Sequence, residues 1–181
     1  FGELLKWKEN PRRKPLLIRG ARQVGKTYII RELGKTFGDF AEINLELLPE
    51  ARNVFDRDLK PDRIIRDLSL FAGKKIQPGK TLLFLDEIQE APKAITALRY
   101  FYEMMPGLHV TAAGSLLEFE LENIGMPVGR VSSLYLYPLS FIEFLAAAGH
   151  GLLIETLAEH DPAEPLSDIA HTKLLRLLGE Y

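Results

Sequence analysis

A glycine, four residues and then Gly-Lys-Thr is a spacing that suits a polyphosphate, and the chain carries it as Gly20-Ala21-Arg22-Gln23-Val24-Gly25-Lys26-Thr27. Polyphosphate needs many donors in a small concavity. The backbone N–H groups of residues 23–27, together with the start of a helix, supply them. Lys26 is placed to reach the β- and γ-phosphates, and the Thr27 hydroxyl is a candidate magnesium ligand. Gly20 and Gly25 allow backbone turns that a side chain would hinder. The plainer alternative is a glycine-bearing strand-to-helix turn with an incidental lysine.

A second group is Leu82-Leu83-Phe84-Leu85-Asp86-Glu87, an apolar strand that delivers two adjacent carboxylates to one sheet edge. Asp86 is expected to hold magnesium through water, because that ion keeps most of its hydration shell. Glu87 is expected to polarise an attacking water, a role that a hydrolase needs and an adenylate-type kinase has less use for, which disfavours a small-molecule kinase. Without the glycine loop, the pair would read equally well as a surface turn. Ser115 ends a later strand, in Thr111-Ala112-Ala113-Gly114-Ser115, where a small hydroxyl suits a sensor between that water and the γ-phosphate. The competing role for Ser115 is to cap a helix starting at Leu116.

Asn44 closes a strand and is a candidate to hold Glu87 away from water, or else an ordinary strand-end turn residue. Arg130, after Gly129, is a candidate to neutralise charge on a transferring phosphoryl group, in its own or another subunit, or else an exposed arginine. Tyr137 and Pro138 are candidates to pack against an adenine ring, with a core or hinge role as the alternative. His109, His150, His160 and His171 have no metal-ligand spacing. The basic group Lys6, Lys8, Arg12, Arg13 and Lys14 reads as a solvated helix and turn rather than a nucleic-acid surface.

The elements that must position these residues alternate. Leu16, Leu17 and Ile18 form a buried strand before the loop, and Ile29, Ile30, Leu33 and Phe37 give a helical face after it, closed by Gly38. Residues 40–45, 82–85, 108–113 and 131–137 read as further strands. Residues 51–70 read as one or two helices broken at Pro61, and 91–105 as a helix. After Pro138 the pattern is helical through Phe141 and Leu145 and again over 174–178. Alternating strands and helices predict a three-layer α/β domain over residues 1–137, with a helical segment over 138–181. A ligand belongs beyond the carboxyl ends of the strands, where every polar motif above is expected to fall.

Composition narrows the classes further. The 181 residues contain no cysteine and carry a formal net charge of −2. Disulfides, thiolate metal sites and cysteine nucleophiles are excluded, and a reducing cytoplasm is expected. No global basic field attracts nucleic acid. The apolar stretch 144–158 is interrupted by Gly149, His150, Gly151 and Glu155, so no membrane span is expected. The first residue is Phe1 and the last, Tyr181, falls on an expected helix, as in a fragment of a longer chain.

The pattern resembles the AAA+ division of P-loop ATPases, and within it the predicted prokaryotic ATP-binding proteins that carry an uncharacterised C-terminal domain. The resemblance rests on Arg19 with the loop, on Phe84-Leu85-Asp86-Glu87-Ile88-Gln89, on Ala113-Gly114-Ser115 and on Pro127-Val128-Gly129-Arg130. The run from Tyr137-Pro138-Leu139-Ser140 to Leu145 adds a further signature. The resemblance implies a mainly parallel five-stranded sheet of order 5-1-4-3-2, Asp86 on magnesium, Glu87 as base and Ser115 as sensor. It implies ATP and Mg2+ as ligands and ATP hydrolysis coupled to conformational change, the alternative being a slow nucleotide switch regulating a protein or DNA partner. Members continue into a winged-helix-like and a nuclease-like region, through which such a partner would be chosen. No conventional lid is evident over 139–181, which leaves the oligomeric state open. No guanine-reading Asn/Thr-Lys-x-Asp motif accompanies the loop.

Overall fold

Apolar runs without a polar face must be covered on both sides, and the strands meet this need as one parallel sheet. A computed structural model describes residues 1–115 and 129–181. The helix start at Leu116 and the Pro127-Val128 part of the motif lie outside the described residues. The chain divides into two compact units, Phe1–Tyr137 and Pro138–Tyr181.

In the first unit the strands are β1 (Leu16–Arg19), β2 (Asp39–Asn44), β3 (Thr81–Asp86), β4 (His109–Ala113) and β5 (Ser132–Tyr135). Their order is β2-β3-β4-β1-β5, which read from the other edge is the expected 5-1-4-3-2. All four neighbouring pairs are parallel. The helices are α1 (Gly2–Glu9), α2 (Lys26–Gly34), α3 (Pro49–Arg52), α4 (Val54–Arg57), α5 (Pro61–Phe71) and α6 (Pro92–Met104). A 3-10 turn spans Ile88–Glu90.

Successive strand residues point to opposite faces, and the core is sorted accordingly. Leu17, Leu83, Leu85, Val110 and Ala112 pack with Phe55, Ile64, Leu68, Leu98 and Phe101 of α4, α5 and α6. Leu16, Ile18, Leu82, Phe84 and Ala113 pack on the other face with Leu4 of α1 and Ile30 and Leu33 of α2. Because β1, β3 and β4 lie inside the sheet, their carboxyl ends are held from both sides. This makes that edge a fixed platform for the polar residues that follow each strand.

Some boundaries differ from the sequence expectation. The helical stretch 51–70 is three pieces, and Pro61 begins α5 instead of merely interrupting a helix, since its missing N–H is not needed in a first turn. Helix α2 stops at Gly34, not at Gly38, because the chain tightens there and packs on the Phe40 ring; a Cβ on Gly34 would stand 2.7 Å from Phe40 Cδ2.

The second unit consists of α7 (Phe141–Ala147), α8 (Gly151–Glu159) and α9 (Asp168–Glu180). Ser140 and Glu143 form a reciprocal cap at the start of α7, with Ser140 N donating to Glu143 Oε2 at 2.8 Å. Leu145, Leu153, Ala170, Leu174 and Leu177 make its small core. The periodicity reading did not separate α8; Gly149, at φ 78, turns the chain between α7 and α8. Among the described residues no helix is long and apolar enough to cross a membrane.

Candidate functional site

The loop between β1 and α2 is shaped by backbone conformations that few residues tolerate. Gly20 has φ 144, and a Cβ there would stand 2.1 Å from the Leu136 carbonyl oxygen. That approach is fixed by Leu136 N–H donating to Arg19 O at 2.8 Å, which ties the chain after β5 to the start of the loop. Gln23 and Gly25 also take positive φ, 63° and 91°, so the loop curls before the chain enters α2 at Lys26. The result is a concave turn at a helix N-terminus, the arrangement that favours anions.

Lys26 is only 8% exposed, and its Nζ donates to Gly20 O at 3.0 Å and Ala21 O at 2.6 Å. Burial pushes its pKa below the usual lysine value, against the opposing pull of the Glu87 and Asp86 carboxylates. Thr27 Oγ1 donates to Asp86 Oδ2 at 3.0 Å, joining the first turn of α2 to the end of β3. Asp86 is 4% exposed and its Oδ1 accepts the Glu87 N–H at 3.1 Å. Burial raises its pKa, and the bonds from Thr27 and the Glu87 backbone act in the opposite direction. Asp86 is therefore a buried carboxylate whose charged form is disfavoured.

Glu87 follows at φ 50, and its Oε2 accepts from Gln89 Nε2 at 2.6 Å. Ser115, buried beyond the end of β4, accepts from Arg22 Nε at 3.4 Å. Arg22, Lys26, Thr27, Glu87, Gln89 and Ser115 share one pocket of about 490 Å³, with Glu46 and Glu90 also on its wall. The loop, the carboxylates and the candidate sensor therefore meet at one sheet edge. A separate, mainly apolar pocket of about 410 Å³ adjoins the same helix start, lined by Val24, Gly25, Tyr28, Ile29 and Leu136 among others.

Other candidates are placed elsewhere. Asn44 Oδ1 accepts from Glu46 N at 3.0 Å and Leu47 N at 2.9 Å, closing the turn after β2, while Glu87 is held by Gln89 instead. The expected Asn44 to Glu87 bond is not made. Arg130 lies at the opposite edge of the sheet from the loop: Ser132 N–H donates to Pro15 O beside the start of β1. There Arg130 Nε donates to Glu103 Oε1 at 3.1 Å. Residues that precede a parallel strand sit at its amino end, and a four-residue strand spans about 13 Å. Arg130 is thus not brought to the loop of its own chain, and the expectation that every polar motif falls at a carboxyl edge is corrected for it. Tyr137 is 72% exposed and its ring lies 4.5 Å from that of Tyr135, while Leu136 lines the apolar pocket. Pro138 begins the second unit.

Three features were missed in the sequence. Gln89 was legible only as part of a motif, because its reach to Glu87 depends on the 3-10 turn. Arg22 stood in the loop without a side-chain role. Tyr28 and Leu136 carried no signal, because their adjacency follows from strand pairing. Among the described residues no cluster of three or more His, Cys, Asp or Glu is arranged for a metal ion. Thr27 and Asp86 alone fit an ion that needs only one or two protein oxygens and takes its remaining ligands from phosphate and water.

The family model for the AAA domain matches residues 12–145. Among solved structures the chain is similar to a Walker-type ATPase of Pyrococcus abyssi, at 19% identity and a TM-score of 0.51, covering 83% of this chain and 57% of that one. It is also similar to a chain in the structure of Drosophila ORC bound to DNA, at 15% identity and a TM-score of 0.51, covering 87% of this chain and 48% of that one. At these identities the likeness is one of fold, and this chain spans about half the length of either neighbour. No curated protein matches it.

Proposed function

The chain belongs to the AAA domain family, and on that premise we propose that it binds ATP with magnesium and hydrolyses it to ADP and phosphate. The observation that carries the reading is the Thr27 to Asp86 bond at 3.0 Å, in a site where Glu87 and Lys26 share one pocket. It supports a phosphate end at the loop, a cation position between the hydroxyl and the buried carboxylate, and a base beside both.

In this reading the loop amides and the α2 N-terminus bind the phosphates, and Lys26 exchanges its contacts with the Gly20 and Ala21 carbonyls for β- and γ-phosphate oxygens. Thr27 and Asp86 would hold magnesium, which supplies positive charge to the phosphate oxygens when bound. Glu87 orients a water and takes its proton as the oxygen attacks the γ-phosphorus. The bond from that phosphorus to the β–γ bridging oxygen breaks, and ADP leaves with the electron pair. Ser115 senses the γ-phosphate from the end of β4. The adenine ring lies in the apolar pocket beside Tyr28 and Leu136, rather than on Tyr137 or Pro138. Arg130 takes no part within one chain; a role for it requires a neighbouring chain's nucleotide.

We assign the chemistry to residues 1–137 and a conformational output to the helical segment 138–181. A DNA or protein partner would be selected through a C-terminal region of the kind that follows this segment in the resembling proteins. A cytoplasmic setting is part of this reading, and the lack of cysteine is compatible with it.

The Glu87→Gln variant should bind ATP as the parent does and turn over about a hundred-fold or more slowly, read by phosphate release. Unchanged turnover removes Glu87 from the mechanism. Lys26→Ala should lose nucleotide affinity, measured by calorimetry, and retained affinity would overturn the loop assignment.

A further inference from the structure

Gln89 stands beside the site with half of its amide satisfied. Its Nε2 donates to Glu87 Oε2 at 2.6 Å, while its Oε1 is buried with no hydrogen-bond partner among the described residues. Burying an acceptor without a donor costs free energy, and a leucine at this position would avoid that cost. What offsets it is the short, charge-assisted bond to the Glu87 carboxylate.

The turn that carries Gln89 is itself anchored. Glu87 occupies the left-handed region at φ 50, which a residue with a side chain keeps only when its surroundings hold it there. Its carbonyl accepts from Glu90 N at 3.0 Å, and Glu90 pairs with Arg52 at 3.2 Å. Arg52 Nε in turn donates to Leu45 O, just after β2. Backbone strain, the 3-10 turn and this ion pair leave Gln89 little freedom. Asn44, at the end of β2, is occupied with its own turn.

Resting on the reading of Glu87 as the base, we infer that Gln89 is a positioning residue for the hydrolytic step. It fixes one oxygen of the Glu87 carboxylate and so sets the plane of the group, leaving the other oxygen for the attacking water. Its effect belongs to the chemical step and not to nucleotide binding, because the phosphate-binding groups are on the loop.

The test is steady-state and single-turnover ATP hydrolysis by the full chain, comparing the parent, Glu87→Gln, Gln89→Leu and the double variant. Gln89→Leu should lower kcat about ten-fold with KM unchanged, as expected when a general base loses its orientation. In the Glu87→Gln background the same change should cost nothing further, since the carboxylate it positions is gone. Gln89→His, which keeps a ring N–H at similar reach, should recover part of the rate. Thermal melting of Gln89→Leu should match the parent or exceed it, which separates a lost orientation from a lost fold. The inference is overturned if Gln89→Leu turns over as fast as the parent or faster, if KM rises in the same proportion, or if the two losses multiply in the double variant. A parent that does not hydrolyse ATP, or a Glu87→Gln variant that keeps its rate, overturns the underlying reading as well.

Discussion

Asp86 is buried at the end of β3, and its charged form is disfavoured by that burial. A carboxyl whose folded pKa lies above its unfolded value binds a proton more readily when folded, so ionising it costs stability as pH rises beyond the ordinary carboxylate range. At neutral pH the free protein carries that cost, and a bound cation would relieve it. Asp86→Asn should therefore melt at the same temperature as the nucleotide-free parent or higher, while losing the added stabilisation expected from ATP and magnesium in the parent. Thermal melting with and without both ligands checks the two halves together. At this scale the residues nearest the proposed chemistry were legible, because Lys26, Thr27, Asp86 and Glu87 each sit at a spacing that suits one role. Gln89 was not, because a glutamine side chain has no meaning until its turn is known.

His109 shows what the elements add. It opens β4, with Trp7 of α1 packing edge-on at 5.9 Å and Phe37 at 4.8 Å. Its Nε2 lies 3.3 Å from Lys8 O, and its Nδ1 is buried with no hydrogen-bond partner among the described residues. Burial, with the nearby charge of Arg13 and of Lys8, pushes its pKa down to about 4, and only the Lys8 carbonyl acts the other way. The unfolded chain takes up a proton near its ordinary value of 6.5 that the folded chain refuses until about 4. This stabilisation is thus present above 6.5 and is lost as pH falls toward 4, at about 1.4 kcal/mol per pH unit. Denaturant titrations across that window should show the slope, and His109→Phe should flatten it. The histidine was visible in the sequence without any role, because its two aromatic neighbours come from separate segments, α1 and the turn after α2. The sheet edges were a similar case: Arg130 precedes its strand, and in a parallel sheet that places it at the amino edge, away from the loop.

On the scale of the whole molecule, the loop, Asp86, Glu87, Gln89 and Ser115 all belong to the unit Phe1–Tyr137, and the helices beyond it have a core of their own. A chain ending after Tyr137 should fold and keep the increase in melting temperature expected of the full chain with ATP and magnesium; loss of that increase would place part of the proposed nucleotide site beyond Tyr137. The sequence by itself determined the alternation of strands and helices, the glycine loop and the carboxylate pair, because hydrophobic period and short-range spacing are local properties that a single segment must satisfy alone. Tertiary structure decided the rest. Strand pairing brought Leu136 against Gly20 and made the apolar pocket, a turn aimed Gln89 at Glu87, and Asn44 was taken up by its own backbone. Those outcomes depend on which segments become neighbours and on which polar groups then compete for the same partner, and residue type and spacing carry neither.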